Sequence, residues 1–200
     1  MNSRDHILTE IKRNRPPEVL LPERGKHAGD SAALQAEGSL VSRFESVSIR
    51  ISSEVLHVAR SDWDSLLVGQ FGGERRIAST ISGADFGNLR IEPDMDPKSL
   101  SPLDVLVCQG DFGVAENGAV WIQDSALMVR AAPFLAEHLV IILDRTQMVA
   151  TMHEAYSRLQ TNLGMFGMFV AGPSKTADIE QSLVVGAQGP RRNTIVLLSD

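Results

Sequence analysis

Two hydrophobic patterns take turns along this chain. Short apolar runs of the length that fills a strand alternate with stretches whose apolar positions recur at helical spacing. Near the start, Ile7, Leu8 and Ile11 share one helical face behind Ser3 or Asp5 as the cap, and Asn14-Arg15-Pro16-Pro17 ends that helix. Residues 17–30 are rich in proline, glycine and charge without a period, which predicts a surface arm. Beyond it, helical spacing covers 32–44, 61–71, 146–163 and 176–185. Strand-like runs cover 55–59, 76–81, 104–108, 119–122, 139–143, 165–171 and 194–198.

This alternation predicts an α/β fold with a mostly parallel sheet and helices on both faces, because strands joined through helices make right-handed crossovers. Val105-Leu106-Val107-Cys108 and Leu139-Val140-Ile141-Ile142-Leu143 are uninterrupted apolar runs, as in strands buried on both faces. Ligands of such sheets settle in loops at the carboxyl ends of the strands. The predicted organisation is an N-terminal helix and arm over 1–30, followed by one α/β domain over 31–200.

Composition narrows the function. With 43% hydrophobic and 22% charged residues, the chain has the make-up of an ordinary globular protein. The net charge of -6 comes without the basic stripe that nucleic-acid binding requires, so nucleic acid is not an expected partner. Cys108 is the single cysteine. It can form no internal disulfide and cannot ligate an iron–sulfur cluster, which takes about four thiolates. His6, His27, His57 and His153 show no ligand spacing, so no metal site is expected. The first residues lack a signal-peptide core and no apolar run reaches membrane-spanning length, which places the protein in the cytoplasm.

Three segments carry candidate chemistry. Gly172-Pro173-Ser174-Lys175-Thr176-Ala177-Asp178-Ile179-Glu180 leaves a strand and is expected to enter a helix. Ser174 or Thr176 would cap it, and its first N–H groups with Lys175 would favour an anion. Capping alone also accounts for these residues. Asp178 and Glu180 would orient basic groups or complete the cap. Glu116 and Asn117 lie in a small-residue loop after the 104–108 strand, where the carboxylate either faces a pocket or sits exposed on a tight turn. Arg130 is suited to clamping a carboxylate or phosphate, and His138 to exchanging protons or to a structural role beside its strand.

Taken together, these residues resemble the lactate-utilisation protein C family. The run at 172–180, with Gly186, Gly189-Pro190 and the final apolar strand, looks like the C-terminal signature of the lactate-utilisation (LUD) domain. Gly113-Val114-Ala115-Glu116-Asn117-Gly118-Ala119 resembles that family's Ala-Glu-Thr-Gly-Thr turn, and Arg130, Pro133 and His138 match the spacing that follows. Asn117 and Ala119 replace two threonines, and Gln188 stands where the family usually has histidine. The resemblance implies a fold akin to the sugar-phosphate isomerase and CoA-transferase superfamily. It also implies an accessory or assembly role in oxidising L-lactate to pyruvate. The iron–sulfur clusters would belong to partner subunits, with no cofactor bound by this chain. One pocket holding Glu116, Arg130, His138, Ser174, Lys175 and Thr176 would then bind a small carboxylate or phosphorylated ligand. The alternatives are an independent enzyme acting on a phosphorylated sugar or an acyl-CoA, with Glu116 as base or nucleophile, and a metabolite-sensing module.

Overall fold

The computed structural model describes residues 2–17, 39–74, 76–84, 87–159, 166–179 and 182–199. The centre is a five-stranded sheet of β1 (Glu54–Ala59), β11 (Arg192–Ser199), β6 (Ala136–Asp144), β3 (Leu103–Gln109) and β2 (Ile77–Ser79), in that spatial order. Every neighbouring pair in it is parallel. Side chains of a strand alternate between faces, and here both faces are apolar. One face presents Val105, Val107, Val140, Ile142, Val196 and Leu198 to Leu67 and Phe71 of α3 (Trp63–Phe71). The other presents Leu106, Cys108, Leu139, Ile141, Leu143, Ile195 and Leu197 to Phe44 of α2 (Leu40–Arg50) and to Val120 and Ile122 of a second sheet. Burying each such side chain contributes about 2 kcal/mol, which accounts for the continuous apolar runs in the interior strands.

The second sheet runs β7 (Met148–Val149), β4 (Phe112–Val114), β5 (Ala119–Gln123) and β8 (Gly167–Val170), with β4–β5 and β5–β8 antiparallel. Its outer face, with Phe112, Val114 and Ala119, is covered by Ala155 of α4 (Met152–Leu159). The expected α/β architecture, mostly parallel with helices on both faces, is therefore present. The run expected at 119–122, and residues 167–170 of the run expected at 165–171, however, form part of this separate sheet.

Three helices differ from expectation. The one at 32–44 has its observed counterpart later, at α2, because the Ser39 side chain accepts the Ser42 N–H as its cap; residues 32–38 and most of the arm at 17–30 lie outside the described residues. The helix expected at 146–163 begins only at Met152. Thr151 Oγ1 accepts the Glu154 N–H at 3.2 Å and Glu154 Oε2 accepts the Ala150 N–H at 2.8 Å, a reciprocal capping arrangement that fixes the start. Met148 and Val149 instead pair with Gly113 and Val114.

The chain departs furthest from expectation after Ser174. No helix follows Ser174. The chain forms β9 (Lys175–Ile179) and β10 (Ser182–Val185), an antiparallel pair with Thr176 opposite Val184 and Lys175 opposite Val185. The β-branched Thr176, Val184 and Val185 suit a strand better than a helix. The N-terminal helix is present as α1 (Ser3–Arg13), but Asn2 caps it rather than Ser3 or Asp5, and it buries none of its residues.

Candidate functional site

The segments singled out in the sequence gather only in part. Their common neighbour is the turn joining α2 to β1. There Ser52 takes a left-handed conformation, with φ 74°, as the Ser53 N–H reaches back to the Ser48 carbonyl and closes the helix end. Two glycines pack against this turn because no side chain fits. A Cβ on Gly118 would lie 3.0 Å from Ser48 Oγ, and one on Gly172 would lie 2.6 Å from the Ile51 carbonyl oxygen. Lys175 Nζ donates to that same carbonyl, so its charge sits at the C-terminus of α2, where the helix dipole is negative. Ser174 holds the neighbouring turn: its N–H donates to the Pro190 carbonyl at 2.8 Å, and its carbonyl accepts from Gly186 N–H at 2.9 Å.

His138 lies apart from this junction, on the sheet and against α3. It is 2% exposed and meets the Phe71 ring edge-on at 5.0 Å. Its Nε2 lies 2.8 Å from Thr194 Oγ1, and the Thr194 hydroxyl donates to Glu54 Oε2 at 2.8 Å. With that hydroxyl committed to a carboxylate, Nε2 carries the proton and Nδ1 is left without a partner among the described residues. Burial, reinforced by Arg192, pushes the pKa of His138 down to about 4, so the ring is neutral near pH 7. Asn193 ties the strand to the turn by accepting from Ser53 Oγ at 2.8 Å.

The remaining predicted residues are engaged elsewhere. Glu116 Oε2 accepts the Met152 N–H at 2.8 Å and so caps α4. Asn117 Oδ1 accepts the Ala119 N–H within its own turn. Arg130 grips Asp124 through two bonds of 2.7 Å and lies 4.7 Å above the Phe166 ring, and it holds the Asp124 carboxyl below its ordinary pKa. Thr176 Oγ1 donates to Asp178 Oδ2 at 2.9 Å on an exposed strand. Glu180 lies outside the described residues. A helix N-terminus for an anion is absent at 174–176, and the single pocket expected from these residues is not formed by their described contacts.

A cleft that the sequence did not reveal lies at the carboxyl ends of β3, β6 and β11. It encloses about 360 Å³ and is lined by Arg60, Gln109, Asp111, Ser125, Asp144 and Gln147, among others. Asp144 Oδ1 accepts from the Thr146 N–H at 2.8 Å and the Thr146 hydroxyl at 2.7 Å, and Oδ2 accepts from Arg60 Nη2 at 2.6 Å. These bonds, Thr146's first, keep the Asp144 carboxyl below its usual pKa. On the far side, Arg158 donates to Gln147 Oε1 at 2.8 Å and stands 3.8 Å from Asp111. Gly110 in the floor admits no side chain, since a Cβ would fall 2.5 Å from Val120. The sequence signal was faint: a glycine and polar residues just past apolar strands.

Cys108 lies fully buried and burial pushes its thiol up to about 12, so it stays protonated and inert. Among the described residues, no cluster of three or more His, Cys, Asp or Glu is placed to hold a metal, and no helix is long and apolar enough to cross a membrane.

Comparison with known proteins supplies a family. The sequence model of the LUD domain matches residues 97–198, half of the chain. The chain belongs to the LUD domain family. Its β3–β11 region, including the Glu116 and Ser174 turns, is that domain. Among curated relatives, lactate utilization protein C 1 of Bacillus mycoides is 30% identical over 54% of this chain and 49% of its own length. Lactate utilization protein C of Shouchella clausii is 31% identical over 48% of this chain and 44% of its own. This LUD chain thus spans about half the length of these relatives in the match. Lactate utilization protein C of an Exiguobacterium species aligns from end to end, 24% identical over 100% of this chain and 97% of the relative. The fold is also that of a DUF162 family protein from Deinococcus radiodurans, with a TM-score of 0.63, 17% identity, and coverage of 82% of this chain and 98% of that one.

Proposed function

We propose that this LUD chain serves in lactate utilisation as an accessory or assembly subunit, beside iron–sulfur partners that oxidise L-lactate to pyruvate, and that it binds a small anion. The observation that carries this reading is the end-to-end match to a lactate utilization protein C. The chemistry agrees with it. The chain's single cysteine is buried in the core and falls short of the roughly four thiolates of an iron–sulfur cluster, which supports a reading in which the clusters are carried by partners. An independent enzyme using Glu116 as base or nucleophile is the weaker reading, because that carboxylate is spent on the Met152 N–H.

The test is L-lactate-dependent dye reduction by the co-purified iron–sulfur partners, with and without this chain. Activity that depends on adding the chain supports the accessory role. Partners that work equally well without it, or do not bind it, remove the lactate assignment.

A further inference from the structure

We infer that the cleft at the carboxyl ends of β3, β6 and β11 binds a small carboxylic acid bearing an adjacent hydroxyl, with Arg60 as its carboxylate anchor. The inference rests on the reading above only for the choice of a small acid over larger ligands; the site itself comes from the geometry. Arg60 is held by one prong, Nη2 on Asp144 Oδ2 at 2.6 Å. Its Nε and Nη1 have no partner among the described residues, and the side chain is 53% exposed at the cleft. Asp144 is in turn fixed by the Thr146 N–H and hydroxyl, so the guanidinium is positioned while most of its donors stay open. Nη2 keeps a second N–H, which together with the N–H of Nε or of Nη1 beside it matches the two oxygens of a carboxylate.

The rest of the lining selects the second group. Gln109 and Ser125 face the same space, with a side-chain amide and a hydroxyl that have no partner among the described residues. They are neutral, and each can donate and accept, which suits an alcohol better than a second anionic group. Asp144 and Asp111, both in the lining, oppose the doubly charged head of a phosphate monoester. A volume of about 360 Å³ accommodates a molecule of a few carbon atoms and excludes a whole CoA. Arg130, the arginine that the sequence pattern favoured, is by contrast closed by two bonds to Asp124.

Titration calorimetry on the full chain would use L-lactate, glycerate, propionate and inorganic phosphate as probes. The expected result is saturable binding of a hydroxy acid, weakened about ten-fold or more by Arg60→Met and unchanged by Arg130→Met, with propionate weaker than L-lactate. Circular dichroism of Arg60→Met checks that the variant is folded, and Ser125→Ala, which breaks no bond seen in the fold, should also weaken hydroxy-acid binding. Phosphate binding in preference to the hydroxy acids, equal affinity of Arg60→Met and wild type, or no binding of any probe would each overturn the site. The accessory role fails separately, if the iron–sulfur partners reduce dye without the chain, whatever the isolated chain binds.

Discussion

His138 is 2% exposed, packed against Phe71 and hydrogen-bonded to Thr194, with Glu54 beyond that hydroxyl and the Arg192 charge acting on the ring. Its pKa of about 4 in the fold compares with about 6.5 for the unfolded chain. Between those values the unfolded chain takes up a proton that the folded chain refuses. Stability therefore falls as pH drops from about 6.5 to about 4, by on the order of 3 kcal/mol, and this contribution is flat below that. Asp124 and Asp144, whose pKa values are lowered below the ordinary 3.8, lose their contributions only at still lower pH, so the windows separate. Urea midpoints at pH 7 and 4.5 should move less for His138→Gln than for wild type. Equal movement would mean that the imidazole charges freely inside the fold.

At the scale of elements, legibility followed burial. β3, β6 and β11 were readable because both faces of the sheet are covered, and continuous apolar runs leave little choice. The hairpin β9–β10 was misread because its apolar residues face no core: Leu183 is 67% exposed and Val185 42%. With no buried face, spacing carries no information about period, and strand propensity with cross-strand pairing decides. The start of α4 was written locally, in Thr151 and Glu154, but the longer methionine spacing obscured it. Glu116 completes that cap from a distant turn. Glu116→Ala is expected to cost about 1 kcal/mol of stability by leaving the Met152 N–H open, while Glu116→Gln keeps an acceptor and loses little. Chemical denaturation of the two variants measures this. Full stability of Glu116→Ala combined with loss of lactate-dependent dye reduction would move the carboxylate from capping to chemistry.

For the whole molecule, the family motifs mark where the chain closes on itself. Gly118, Gly172 and Lys175 meet the end of α2, and Asn193 bonds Ser53 in the same turn, so segments far apart in sequence lock one junction. Each was visible as a residue type; their meeting point was not, because it is set by strand order. The Arg60 cleft was less visible still, being assembled from separate loops that no local spacing connects. α1 lies at the opposite extreme. It has a legible amphipathic face, yet Ile7, Leu8 and Ile11 are 56%, 42% and 60% exposed and no residue of the helix is buried. A helix that buries nothing gains no packing energy to offset its ordering cost. Deleting residues 2–17 should therefore leave the denaturation midpoint of the isolated chain within about 0.5 kcal/mol of the full chain. A large loss of stability would show that α1 packs on the domain in solution. An unchanged midpoint with weakened capture by the iron–sulfur subunits would instead assign its apolar face to the assembly, since a face that stabilises nothing within the chain can then contribute only between chains.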